Sequence, residues 1–135
     1  MPCRPRLLNY PDLKRAVEQQ CLLHNTDKVL IEDKSSGISL IQEMSETVYG
    51  IEAYKPLPGS DKLLRLNAQS IRFENGSVLL RKGAPWLEEY VREITGFPGT
   101  KYDDQVDSTS QALEYLADKS SGLAIWIKLG EPSRP

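Results

Sequence analysis

Long apolar runs are missing from this sequence. Nothing approaches the roughly 20 consecutive apolar residues that a helix needs to cross a bilayer, so no membrane span is expected. The opening residues Met1-Pro2-Cys3-Arg4-Pro5-Arg6 lead into only two leucines, and no secretory leader is read there. Cysteine is scarce: Cys3 and Cys21 lack metal-ligand spacing and point to a reducing compartment without structural disulfides. A cytoplasmic location is the expectation. The single histidine, His24, has no accompanying nucleophile motif, which removes serine and cysteine triads with a histidine base. An excess of either charge is also lacking, since seventeen basic and nineteen acidic side chains leave a net charge of −2. That excludes a polybasic domain wrapping nucleic acid by bulk electrostatics, while allowing a local basic rim. Neither glycine-rich phosphate-binding pattern occurs, and no internal repeat is visible.

What is present is an ordinary globular composition, 39% hydrophobic and 27% charged over 135 residues, one domain or part of one. Leu13, Val17, Cys21 and His24 set a helical stripe over residues 11–24, with Pro11 in the first turn and His24 at the helix end. The apolar run at residues 28–31 reads as a buried strand. Glu32-Asp33-Lys34-Ser35-Ser36-Gly37 is then a polar turn into a helix striped by Ile38, Ile41 and Met44. In that turn Asp33 suits a bond to its own backbone, and Ser35 or Ser36 suits a helix cap. Gly37 permits close backbone approach by a ligand. Residues 48–54 read as a second strand, and helix–strand–helix–strand runs of this kind build parallel sheets.

Beyond a loop at residues 55–60, residues 61–70 read as a helix with Leu63 and Leu66 inward and Lys62, Arg65 and Gln69 outward. Asn75-Gly76 between residues 71–74 and 77–80 predicts a hairpin. Ala84-Pro85-Trp86-Leu87 opens a helix striped by Leu87, Tyr90, Val91 and Ile94, with Trp86 read as packing. A turn at residues 96–100 leads to the densest feature, Lys101-Tyr102-Asp103-Asp104-Gln105-Val106-Asp107. Its helix carries a stripe of Val106, Thr109, Leu113 and Leu116 and is expected to end near residues 120–122, before a last strand or a tail. Asp103, Asp104 and Asp107 crowd one helix end at spacings of three and four, where like charges repel. Two accounts fit. In one, Asp103 is an N-cap and the acids complement the helix dipole. In the other they belong to a divalent-metal site, since hard cations take carboxylate oxygens.

Taken in order, these motifs resemble one family. Ile31-Glu32-Asp33-Lys34-Ser35-Ser36-Gly37 followed by Leu40-Ile41-Gln42 is similar to the second acidic motif of the nuclease domain of phage terminase large subunits. Asp61-Lys62 with Arg65, Ala68-Gln69-Ser70, Phe73-Glu74-Asn75-Gly76, Ala84-Pro85-Trp86-Leu87 and Gly96-Phe97-Pro98 continue the series into Asp103-Asp104-Gln105-Val106-Asp107. The resemblance covers about residues 10–117. It implies an α/β, RNase H-like fold, a mixed sheet with flanking helices, and a metal-dependent endonuclease that cuts concatemeric phage DNA during packaging.

By that resemblance Glu32, Asp103 and Asp104 are the catalytic acids, and Glu32, Asp33, Asp103, Asp104 and Asp107 supply ligands for two Mg²⁺ or Mn²⁺ ions. Lys34, Lys62, Arg65 and Lys101 are the candidate contacts to DNA phosphates. The implied partners are double-stranded phage DNA, the terminase small subunit and the portal or procapsid, in the host cytoplasm and with no membrane. Tyr102 stands where the family often has histidine. The family's first acidic strand has no counterpart in residues 1–9, which carry no acid, and the ATPase motor is absent. The expectation is therefore an N-terminally truncated domain at residues 10–120, between a disordered residue 1–9 segment and a tail at 121–135. Such a piece has an open sheet edge and weak activity alone. The alternatives are a non-catalytic DNA- or partner-binding remnant, and an unrelated α/β protein whose acids are only caps and turns.

Overall fold

The computed structural model describes residues 8–128, with side chains through Asp118. Its elements are α1 (Tyr10–His24), β1 (Val29–Glu32), α2 (Ser36–Met44), β2 (Ile51–Tyr54), α3 (Lys62–Glu74), α4 (Leu87–Gly96) and α5 (Asp104–Lys128). The described residues divide into two compact units, with the boundary between Gly59 and Ser60. Cys3 and residues 129–135 lie outside the described residues. No described helix is long and apolar enough to cross a membrane.

In the first unit, α1 starts where the Asn9 side chain accepts a hydrogen bond from the Asp12 amide at 2.9 Å. It stops at Asn25, in the left-handed region at φ 47°. His24 sits exposed in the last turn, the helix-end position expected of it, whereas Cys21 is only half-buried. β1 and β2 pair in parallel, from Val29 opposite Ile51 to Glu32 opposite Tyr54. The strand–helix–strand reading thus holds, with α2 as the crossover. Leu40 and Met44, one helical turn apart on α2, are the buried apolar side chains among the described residues of this unit, whereas Ile38 of the expected stripe is exposed. β2 is shorter than expected. Val48 is still held by a turn, its amide donating to the Met44 carbonyl at 2.8 Å. Gly50, at φ 83°, then brings the backbone against the Asp27 carbonyl where no Cβ would fit. Among the described residues the sheet is this parallel pair, not a mixed sheet.

The second unit is helical. The expected hairpin at Asn75-Gly76 is instead the end of α3. Gly76 adopts φ 76°, its amide donates to Phe73, and the Ser77 amide donates back to Arg72 at 2.9 Å. That pair of bonds is a Schellman stop. A left-handed glycine serves a hairpin turn and a helix C-terminus equally well, and here the preceding helix decides. Residues 77–80 form no strand. α4 begins at Leu87, two residues after Pro85, and Trp86 packs edge-on to Tyr90 at 5.8 Å, as a packing role requires. α5 continues to Lys128, past the end expected near residue 120, so residues 121–128 are helix and not a strand or tail.

Inside this unit the buried faces depart from expectation. Val106 is fully buried, but Leu116 is exposed and Ser110 takes an inward place on α5. On α3 the assignment holds for the half-buried Leu66 but is otherwise reversed: Leu63 is exposed, Gln69 is buried, and the Arg65 side chain is only 13% exposed. α3 packs on α5 through this polar stripe.

Candidate functional site

Glu32 is the last residue of β1, half-buried, and its carboxylate has no partner among the described residues. Its backbone explains the glycine that follows. A Cβ at position 37 would collide with the Glu32 carbonyl oxygen, so Gly37 lets α2 start directly against the strand end. The close approach expected at Gly37 is therefore to the chain's own backbone. Ser35, at the N-cap with φ 51°, makes no side-chain cap bond, and Ser36 is already in the helix. Asp33 donates its amide to the Tyr54 carbonyl at 2.9 Å and pairs its carboxylate with Lys55 at 3.1 Å, in place of the local turn expected. Lys34 is exposed.

In the second unit the acids at the start of α5 meet two cations from α3. The Lys62 ammonium lies 2.8 Å from Asp103 Oδ2 and 2.8 Å from Asp107 Oδ2, bridging them. Arg65 Nη2 lies 3.2 Å from Asp107 Oδ1, while Nη1 donates to the Ser60 carbonyl at 2.9 Å. The two carboxylates, first that of Asp103 and then that of Asp107, hold the Lys62 ammonium above its ordinary pKa. Asp104 is exposed, and its carboxylate has no partner among the described residues. Lys101 is exposed and lies over the Tyr102 ring, 5.1 Å from its centre.

One residue that positions this cluster lies outside the apolar stripe expected on α4. Glu93, buried on α4, accepts from the Gln105 amide at 2.8 Å, the Val106 amide at 3.2 Å and Gln105 Nε2 at 2.7 Å. It caps α5 from another helix, the role expected of Asp103, whose carboxylate is turned to Lys62 instead. Tyr90 adds a hydroxyl contact to Thr109 at 2.8 Å. The signal for Glu93 was its place on the face of α4 shared by Trp86, Tyr90 and Phe97, with no basic residue one turn away. The repulsion between Asp103 and Asp107 is offset by the helix dipole and by the two cations Lys62 and Arg65.

Chemically, the Asp103 and Asp107 oxygens converge on one point, which a cation fills. All-oxygen donors of this kind suit Mg²⁺ or Mn²⁺ better than softer metals. Among the described residues, no three of the histidine, cysteine, aspartate or glutamate side chains are grouped to hold a metal.

These features define a class: an α/β chain with a carboxylate ending a parallel strand and further carboxylates opening a helix. A family model described as the terminase RNaseH-like domain matches residues 7–116. The chain belongs to that family. No curated protein and no solved structure matches it significantly.

Proposed function

We propose that this chain is the nuclease part of a phage DNA-packaging terminase large subunit, a Mg²⁺- or Mn²⁺-dependent endonuclease acting on double-stranded DNA. Packaging would bring it to the terminase small subunit and the portal or procapsid. One observation carries the reading: in a chain of this family, Glu32 ends a parallel strand half-buried with an unpartnered carboxylate. The carboxyl end of such strands is where α/β folds place their sites.

Glu32 and Asp103 are the proposed metal-binding and catalytic acids, with Asp33, Asp104 and Asp107 as supporting ligands. When bound, a pair of divalent cations activates water and stabilises the leaving oxygen of phosphodiester hydrolysis. The chain's own residues have separable tasks. Arg65 fixes one oxygen of Asp107 and is itself anchored to the Ser60 carbonyl. Lys34 and Lys101 are exposed ammoniums suited to phosphate contact. Lys62 and Arg65, also expected to touch DNA, have their charge directed at Asp103 and Asp107.

The test is a calorimetric Mn²⁺ titration of the whole chain, of Glu32→Gln and of Asp103→Asn, followed by plasmid incubation. Each substitution is expected to weaken Mn²⁺ binding at least about tenfold, since a charged ligand becomes neutral, and to abolish cleavage. Wild-type Mn²⁺ binding without cleavage would support the metal site and show that this chain alone does not cut DNA. Wild-type affinity no better than that of either variant would remove the metal site as well.

A further inference from the structure

The bridging ammonium of Lys62 occupies the point on which the Asp103 and Asp107 oxygens converge. We propose that Lys62 is a tethered competitor of the divalent cation: it holds the two carboxylates together in the metal-free protein and must leave before a cation enters. The inference rests on the reading of Asp103 as a metal ligand.

The two basic residues of α3 differ in a way that singles out Lys62. Arg65 is only 13% exposed, bonded to both Asp107 and the Ser60 carbonyl, and its planar fork is fixed in place. Lys62 is 44% exposed, carries its charge on a flexible four-carbon stem, and among the described residues bonds only to the two carboxylates. Its stem can swing toward water while α3 stays put. Leaving costs the ammonium two half-exposed ion pairs, and its hydration in water compensates part of that. A divalent cation brings twice the charge to the same oxygens. Without Lys62, Asp103 would have no counter-cation, and its repulsion with Asp107 one turn away would favour any incoming cation.

The experiment compares Mn²⁺ affinity by calorimetry for the wild-type chain, Lys62→Met, and Lys82→Met as an exposed charge-removal control on the same unit. Lys62→Met keeps most of the stem and is expected to bind Mn²⁺ about tenfold more tightly, the change that loss of two such pairs represents. Lys82→Met is expected to shift affinity less than about twofold, as screening of an exposed charge dictates. A second readout uses only the wild type: acylation of the Lys62 amine, followed by peptide mass spectrometry, is expected to speed up when Mn²⁺ saturates the protein. That measurement keeps the inference testable if Lys62→Met folds poorly.

Equal or weaker Mn²⁺ binding by folded Lys62→Met, with binding still lost in Asp103→Asn, would overturn the competitor role and leave the metal site standing. Unchanged Lys62 acylation at Mn²⁺ saturation would do the same. Absence of Mn²⁺ binding in the wild type and in Lys62→Met would overturn both.

Discussion

Replacing Glu93 by alanine removes a carboxylate that holds the first turn of α5 from a neighbouring helix. The side chain is 8% exposed by residue and accepts three hydrogen bonds, two of them from the otherwise unsatisfied amides of Gln105 and Val106. Loss of a helix cap costs about 0.5–2 kcal/mol, and hydrogen bonds to a charged group are worth roughly 1.5–3 kcal/mol each. The full sum is not expected, because alanine also relieves the carboxylate of its burial and lets water reach the freed amides. A loss of about 2–3 kcal/mol is the expected outcome, a large part of the 5–15 kcal/mol that ordinarily separates folded from unfolded chains.

Two controls locate the effect. Glu93→Gln keeps the acceptor oxygen for the two backbone amides but sets its NH₂ toward the side-chain NH₂ of Gln105, and should cost about half as much. Glu88→Ala, on the same helix, removes only an exposed pair with Arg92 at 3.0 Å and should cost under about 0.5 kcal/mol. Urea denaturation followed by far-UV circular dichroism gives the total. Amide hydrogen exchange at Gln105 and Val106 gives the location: their protection should fall in Glu93→Ala while that of α1 amides is unchanged. If Glu93→Ala were as stable as Glu88→Ala, or if protection at Gln105 and Val106 survived, Glu93 would not be the cap of α5.

Two further outcomes follow from the geometry. Gly37→Ala places a methyl group against the Glu32 carbonyl, a backbone atom that cannot turn away. Overpacking of this kind costs about 1–3 kcal/mol, and thermal unfolding should show it, with exchange protection lost first at α2; an unchanged midpoint would show that β1 and α2 are not so closely apposed. The second outcome concerns pH. Lys62 titrates higher in the folded chain than its ordinary value of 10.5. Its stabilising contribution is therefore complete below that value and is lost as pH rises through the raised folded value. The stability gap between wild type and Lys62→Met should accordingly narrow above about pH 10.5, and a gap that stayed constant to higher pH would place the ammonium outside the carboxylate pair.

Elements whose evidence is local and periodic were legible in the sequence. The helices α1 and α2 and the strand β1 follow from residues within a few positions of one another, although α2 buries Leu40 with Met44 and leaves Ile38 exposed; the parallel pairing of β1 with β2 follows from the order of the elements. The ordered motifs gave the family, and the match over residues 7–116 agrees. Asn75-Gly76 misled because its left-handed preference is neutral between two structures, and only the extent of the α3 helix distinguishes them. The continuation of α5 through Ser120-Ser121-Gly122 misled in the opposite direction, since these residues are weak helix formers rather than an obligatory stop. The acids of the candidate site stand out in the sequence, but the pairing of Asp103 and Asp107 with Lys62 and Arg65 does not.

The inverted face of α3 shows why. Lys62, Arg65 and Gln69 recur at intervals of three and four, as regular as any apolar stripe, and amphipathic reasoning assigns a charged stripe to water. That assignment presumes that the rest of the chain offers no complementary charge. Here it does: Asp103 and Asp107 are one turn apart on α5, and Lys62 and Arg65 are one turn apart on α3, so two short charged patterns about forty residues apart complete each other. Each pattern alone is unfavourable, the acids by mutual repulsion and Arg65 by its burial. An isolated acidic cluster at a helix start thus implies a cation somewhere, and the sequence leaves open whether it is a metal or a side chain. In the folded chain the side chains of Lys62 and Arg65 fill that role. On the proposed metal reading, affinity at Asp103 is expected to depend on how readily Lys62 gives way as well as on the carboxylates.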